Sequence, residues 1–522
     1  MAMKDSVGSS NSDTRETRAA KRITVQVMNS LGMQRGGLTR TVLQRSRIVR
    51  PEDDLIFAVP SFQMDMVDLF TEMQRRSMIP ERASLRSFHA EICRNGRKGE
   101  VAPSRVVQVA TDIPGTDKTV EPNRRGQSER YFVAGKFIGL IQRDENQNIH
   151  FAIDHSDQAP WFPLQRTYYD SNGAARRRVF LDSEHRDRYQ IFYNAEGGEY
   201  LASWLRQNGA AYRVVQFSAT GAEQFDDIAS AHAVWFEGLL NQLDDAMVLC
   251  DEPSTVFSLR NRTNNAQRVA TFHASHLMPD AEANLKPKAW LRQYLNVKAN
   301  IDRFVFLTNA QADDFAKTAR IGGNQVAVIP HPSPPEAAPA SGKREEGLLV
   351  SVGRLDRDKQ IDHIIKAVVD ARKHVSNLRL RVFGSGDQRD ALQKLIVKLK
   401  AEDYISLEGY IADSQVAFAN AEASVMTSLH EGFGLVILES LAAGTPVISY
   451  ETPFGPRELI NDGVNGLLIP LNDVAALSQA LVQLFKKRKR LQKLQDAAKR
   501  SDGNFDEKDW ANSWDELLHA EC

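Results

Sequence analysis

The chain has 522 residues, 42% of them hydrophobic and 25% charged, with 66 basic against 67 acidic side chains. At about 150 residues per domain this is a multi-domain globular protein, and its balanced charge excludes nucleic-acid binding through a global basic field. Three scattered cysteines, Cys93, Cys250 and Cys522, make neither a disulfide framework nor a metal site, which fits a reducing, cytoplasmic setting.

Residues 1–20 are small, polar and charged, and read as a disordered tail. No signal-peptide core follows, and no run approaches the roughly 18 apolar residues of a membrane span, so membrane contact is expected to be peripheral, at the inner face. An apolar strand from Ile23 to Met28 runs into a turn holding Gly32, Gly36 and Gly37, and a helical pattern starts near Leu38. Strand, Gly-rich turn and helix is how a Rossmann-like unit opens. From 91 to 210 the pattern changes to short aromatic and β-branched runs, such as YFVAGKFIGLIQ at 131–142 and YQIFYN at 189–194. Turn signals separate them, including Asp144-Glu145-Asn146, Ser171-Asn172-Gly173 and Glu196-Gly197-Gly198. This predicts an antiparallel meander inserted into an α/β domain.

Strand–helix alternation is expected to resume at Ala211, with buried strands at 246–250, 268–274, 303–308 and 325–330. A Pro-rich link from His331 to Ala340 marks the domain boundary. Beyond it, strands at 348–353, 378–384, 405–409, 423–428 and 446–450, each followed by a helical pattern, predict a second doubly wound sheet. The basic run KKRKR at 486–490 reads as a solvated helix face, with docking on an anionic polymer or membrane as the alternative. Trp510 and Trp514 are four apart and share one helix face, which predicts their burial.

The densest chemistry is HEGFGLVILESLAAGTPVISY, from His430 to Tyr450. A strand ends near Ser428, a Gly-flanked turn carries Glu431, and a helix opens at Gly434 and Leu435. Glycines let a ligand approach the backbone, and the free N–H groups around Leu435 and Val436 suit phosphate. Such a site lies at the carboxyl ends of parallel strands, where open α/β sheets bind ligands. The pattern predicts a nucleotide diphosphate over Gly432, Phe433, Gly434, Leu435 and Val436. Glu439 would take ribose hydroxyls, and Glu431 sits where a sugar would lie.

Glu431 and Glu439 form an E-x7-E element between EGFG and AAGTPVI. It resembles the signature of the retaining GT-B glycosyltransferases of family 4, the group of glycogen synthases and bacterial α-glycosyltransferases. SVGRLDRDKQID (351–362) resembles that family's loop after the first strand of its C-terminal domain, which implies that Arg354 and Lys359 clamp the donor diphosphate. RVFGSG (381–386), LEGYI (407–411) and PFGPRELINDGVNGLLIP (453–470) continue the resemblance across 341–503. In the N-terminal half, Gly36-Gly37 falls at the family's Gly-rich loop, and His273 at its histidine near the transferred sugar. His276 reads as structural. The insert, through RTYYDSNGAARRRVFLD, and YETPFGP (450–456) are similar to teichoic-acid poly(glycerol-phosphate) and poly(ribitol-phosphate) α-glycosyltransferases, and the insert also to enzymes that glycosylate serine-rich adhesins.

The resemblance implies two Rossmann-like domains facing a cleft. The N-terminal one would span 21–90 and 211–340, the insert 91–210, the C-terminal one 341–503, and a helix at 504–522 would pack back on the N-terminal domain. It implies transfer of glucose or N-acetylglucosamine from a UDP-sugar with retention, catalysed by Glu431, Arg354, Lys359 and His273 without a dedicated base. The acceptor would be an anionic polyol-phosphate, for which Arg124-Arg125 and Arg176-Arg177-Arg178 would be suited, and the insert would support a homo-oligomer. A solvated strand edge is the alternative for those arginines. Asp356-Arg357-Asp358 is formally a DxD, but it lies between the clamp residues and reads as loop structure, so neither metal nor other cofactor is expected. A protein acceptor and a non-catalytic partner subunit are the alternatives. A dinucleotide oxidoreductase is disfavoured, because Gly32 to Gly37 lacks the G-x-G-x-x-G spacing.

Overall fold

The computed structural model describes residues 21–33, 37–112, 118–123, 127–156, 158–159, 161–279, 285–334, 343–501 and 505–520. The first twenty residues, Gly36, Arg124-Arg125, most of the Pro-rich link and Cys522 lie outside them. No described helix is long and apolar enough to cross a membrane.

Seven parallel strands form the N-terminal sheet, in the order Val326–Val328, Arg303–Phe306, Gln267–Phe272, Ala246–Cys250, Ile23–Val27, Asp54–Val59 and Ser84–Ser87. The first strand of the chain lies inside the sheet, between Ala246–Cys250 and Asp54–Val59, so the sheet winds both ways from it. Its neighbours are almost continuously apolar, as strands covered on both faces must be. The C-terminal sheet repeats this plan with six strands, ordered Ile405–Gly409, Arg379–Phe383, Leu348–Val352, Ala423–Met426, Val447–Tyr450 and Gly466–Ile469.

Ten antiparallel strands, from Lys118–Pro122 to Gly221–Phe225, make the inserted meander. Four of its hairpins share one turn chemistry. Asp144, Asp170, Asp182 and Asn194 each accept, through one side-chain oxygen, the backbone N–H groups two and four residues on. An Asx side chain that replaces backbone acceptors fixes a tight reversal. Gly173 and Gly197 take the left-handed conformation that such turns need. The helix Arg105–Asp112 covers one face of the sheet, with Val106 packed among Tyr131, Ile138 and Ile141.

The meander runs past the boundary expected at 210. Ala211–Ser218 and Gly221–Phe225 pair antiparallel in the same sheet, and α/β alternation resumes with the helix Ile228–Leu240. The strand Ala211–Ser218 was read as α/β because its apolar pair Val214-Val215 hides the alternation. The arginines of the insert are engaged within the sheet. Arg176 donates to Asp170 (2.7 Å), Arg177 to Gln190 (3.0 Å) and Arg178 to the Ala102 carbonyl (2.6 Å). The KKRKR run breaks between two helices at Lys487, and Arg488 donates to the buried Glu422 (2.8 Å) while Lys486, Lys487 and Lys489 stay exposed.

The helix Glu507–His519 crosses to the N-terminal domain. Trp510, Trp514, Leu517 and Leu518 enter the core that Val42, Leu43, Leu55 and Phe57 build. Arg50–Asp515 (2.6 Å) and His519–Asp53 (2.9 Å) pin it at the rim.

Candidate active site

Leu348–Val352 and Ala423–Met426 run side by side, and the chain leaves them in opposite directions. Their carboxyl ends form the switch point at which open α/β sheets bind ligands. Two loops meet there. The Thr427 hydroxyl donates to the Lys359 carbonyl (2.9 Å), and the Leu429 N–H donates to the Asp358 carbonyl (2.8 Å). This stitching brings Lys359 Nζ to 2.5 Å from Glu431 Oε1. Burial alone would push the Glu431 carboxyl up, but the Lys359 ammonium outweighs it and holds it below the usual range.

Arg354 stands apart from this pair. Its side chain is 75% exposed on the cleft rim and bonds Asp356. The Asp-x-Asp residues therefore face bases, Asp356 with Arg354 and Asp358 with His430 (3.3 Å). Gly434, with φ of 96°, opens the helix Leu435–Ala442, and no side chain caps it. Its first N–H groups, at Leu435 and Val436, are those that suit a phosphate. The Phe433 side chain is buried against His331 (5.4 Å) and Phe505 (5.9 Å), so this residue can serve a ligand only through its backbone. Glu439 lies one turn into the helix. Its carboxylate accepts from Ser414 Oγ (2.7 Å) and, across the cleft, from Arg40 Nη1 (3.1 Å). Burial pushes the Glu439 carboxyl up in spite of these donors. A cavity of ≈ 290 Å³ opens between Arg40, Thr41, His331, Leu435 and Glu439.

The N-terminal wall comes from neighbouring strand ends. Asp251 follows Ala246–Cys250 and His273 follows Gln267–Phe272, and because these strands pair, the two side chains meet, His273 Nε2 at 2.7 Å from Asp251 Oδ1. Arg45, on the helix Gly37–Ile48, reaches the same carboxylate with both terminal nitrogens (3.1 and 2.5 Å). Gly37 opens that helix. His331 stacks on His273 with ring centres 5.5 Å apart. The two domains touch where Gly432 lies against the His273 backbone, and a Cβ there would come 2.4 Å from the His273 carbonyl oxygen. Lys288 Nζ also crosses, to 3.3 Å from His430 Nδ1. His276 is buried on Asp314 (2.8 Å) and stacked on Phe454, a structural placement.

Lys359, Glu431, Glu439, Gly432, Gly434, Leu435, Val436 and His273 thus converge on one cleft, while Arg354 waits at its edge. Arg40, Arg45, Asp251, Lys288 and His331 also line or brace the cleft, and no motif announces them. Asp251 alone carried a signal, as an acidic residue directly after a buried strand.

Residues 335–501 match the family model described as Glycosyl transferases group 1. A poly(glycerol-phosphate) alpha-glucosyltransferase of Bacillus subtilis is 24% identical over 512 residues, 92% of this chain and 72% of that protein. The GtfA subunit of a UDP-N-acetylglucosamine–peptide N-acetylglucosaminyltransferase from Streptococcus pneumoniae is 26% identical over 71% of this chain and 74% of its own. Among solved structures, a variant of Staphylococcus aureus TarM in complex with fondaparinux, alpha-GlcNAc-glycerol and UDP superposes with a TM-score of 0.78 at 18% identity, over 96% of this chain and 100% of that one. The chain therefore carries a glycosyl transferases group 1 domain at residues 335–501 within a GT-B fold, and is similar to poly(glycerol-phosphate) and peptide glycosyltransferases.

Proposed function

We propose that this enzyme moves glucose or N-acetylglucosamine from a UDP-sugar to a hydroxyl of a polyol-phosphate polymer, with retention at the anomeric carbon and on the cytoplasmic side of the membrane. The observation that carries the reading is the Lys359–Glu431 pair beside the uncapped helix at Gly434, facing His273 across the cleft. In this reading Lys359, Arg354 and the N–H groups of Leu435 and Val436 stabilise the charge that grows on the departing diphosphate. Glu431 orients the sugar hydroxyls, and Glu439 takes the ribose. The acceptor hydroxyl attacks from the face the diphosphate leaves, and a leaving oxygen takes its proton, so a dedicated base is unnecessary. The relative that aligns with 92% of this chain, insert included, is named for a polyol-phosphate, which favours that acceptor over a peptide. The ten-stranded insert would hold the polymer or a second copy of the chain.

The test is UDP release from UDP-glucose and UDP-N-acetylglucosamine, with and without poly(glycerol-phosphate) or poly(ribitol-phosphate), in EDTA and without it. Release that the polymer stimulates, that EDTA spares and that Glu431→Ala removes supports the reading. Stimulation by a serine-rich peptide alone moves the acceptor to protein. Loss in EDTA overturns the metal-free mechanism.

A further inference from the structure

Arg45 and Asp251 are buried charges that the transfer chemistry above does not use, and both side chains are 1% exposed. Burying such a pair is costly unless each member is fully bonded. Here both terminal nitrogens of Arg45 and both oxygens of Asp251 are bonded, Arg45 Nε alone lacks a partner among the described residues, and the contacts lead in one direction. The Arg45 guanidinium lies over the Trp514 ring of the C-terminal helix, 4.4 Å from its centre. Its two terminal nitrogens grip both oxygens of Asp251, and one of them also bonds Gln26. Gln26 returns a bond to Asp251 Oδ2 (2.8 Å). Burial alone would push the Asp251 carboxyl up, but Arg45 and then His273 reverse this and hold it ionised, so His273 Nε2 is the donor in its 2.7 Å contact. One ring nitrogen then remains. His273 Nδ1 is buried and has no hydrogen-bond partner among the described residues, in a side chain only 9% exposed. A buried acceptor without a donor marks a place where a ligand group belongs.

We propose that Arg45 is a positioning residue of this enzyme. Clamped beneath Trp514, it fixes Asp251, which turns His273 so that its bare Nδ1 accepts a hydroxyl of the donor sugar. The proposal rests on the placement of His273 at the sugar and extends it to the C-terminal helix. A second consequence is electrostatic. The groups facing His273 are Asp251 and Arg45 on one side and the ring of His331, with Thr41 behind it, on the other; the C-terminal domain presents the uncharged Gly432. Arg45 is thus the cation that balances Asp251. Without it the carboxylate favours an imidazolium, which has no acceptor nitrogen to offer.

The test uses 15N-histidine NMR on the full chain, with the His273 signal assigned by its loss in His273→Ala, together with UDP release from UDP-glucose and UDP-N-acetylglucosamine across pH. In the wild type Nδ1 reports a bare acceptor at neutral pH. In Arg45→Met the His273 Nδ1 signal moves away from that of a bare acceptor, and UDP release recovers as pH is raised. Arg45→Lys keeps the charge and loses the fork, so Nδ1 still reports a bare acceptor while kcat/KM falls about tenfold. It also serves if Arg45→Met does not fold. In the His273→Ala background neither Arg45 variant changes kcat/KM further. Equal losses at every pH and in both backgrounds overturn the proposal and leave Arg45 a stability residue. An unchanged kcat/KM in His273→Ala alone overturns the histidine placement, whatever Arg45 does.

Discussion

At Gly432 a single hydrogen in place of a side chain lets two domains touch, because a Cβ would stand 2.4 Å from the His273 carbonyl oxygen and 2.7 Å from Ala274 Cα. Both neighbours are backbone and cannot swing aside. Gly432→Ala should therefore hold the walls of the cleft apart. The expected result is a fall in kcat of about a hundredfold, the scale of a 1 Å misplacement, with UDP affinity much less affected. Turnover and calorimetric UDP binding on the same preparation check this. Lys359 and Glu431 make a different prediction, because the pair is half-buried and lies at the proposed donor site. Lys359→Ala leaves a half-buried carboxylate without its cation, which costs about 1–3 kcal/mol of stability. It should also lower kcat by about 10²–10³-fold. Adding Glu431→Gln should recover melting temperature without recovering kcat. Glu431 was legible in the sequence because loop, glycine and helix N-terminus follow one another within a few positions, whereas Lys359 rested on the resemblance of SVGRLDRDKQID to a family loop. Asp251 and Arg45 were not legible, because 206 residues separate them and only the strand order brings them together.

Elements whose turns carry their own instructions were the easiest to read. The meander was visible because Asp144-Glu145-Asn146, Ser171-Asn172-Gly173 and Glu196-Gly197-Gly198 mark its reversals, whereas Asp182 closes a hairpin without a glycine, with His185 in the left-handed conformation instead. Its last two strands are harder to read, because paired valines obscure the period of two in Ala211–Ser218 and GAEQF at 221–225 has too few apolar residues to show one. The C-terminal helix was read correctly from Trp510 and Trp514, and its anchor has a pH dependence. The Asp515 carboxyl is held below the usual aspartate range, first by its hydrogen bond from Arg50. A lowered folded-state value contributes stability above the ordinary value near about 4, and that stability is lost as pH falls through the lower folded value. The pair is about one-third exposed, so its share is small. Acid should nevertheless loosen this helix at a higher pH in Asp515→Asn than in the wild type. The difference in fluorescence between each protein and its Trp514→Phe version, followed against pH beside far-UV circular dichroism, measures it.

On the scale of the whole molecule the domains are joined by polar contacts across the cleft as well as by Gly432. Arg40 reaches Glu439, and Glu458 accepts from the N–H groups of Asn309 and Ala310 (3.1 and 3.0 Å), which caps an N-terminal-domain helix with a C-terminal-domain carboxylate. The two-domain plan was legible because both halves repeat strand and helix, whereas these bridges unite residues with no common pattern. Glu439 bonds Arg40 across the cleft, and in the proposed function it also takes the ribose. Glu439→Gln should weaken UDP binding by about tenfold, the worth of a hydrogen bond to a charged group. Isothermal titration with UDP and with uracil checks it, since uracil lacks the ribose and should bind both proteins alike.

The helix Glu507–His519 also sets the order in which the molecule can be finished. Arg50 and Asp515 are 465 residues apart, yet the core around Leu43 and Phe57 closes only when Trp510 and Trp514 arrive. While the chain emerges from the ribosome, the N-terminal sheet must wait, its apolar face uncovered, until the whole second domain has been made. A nascent chain halted at the Pro-rich link should bind chaperones and yield to proteases at its first half, although every strand of that half has already been translated.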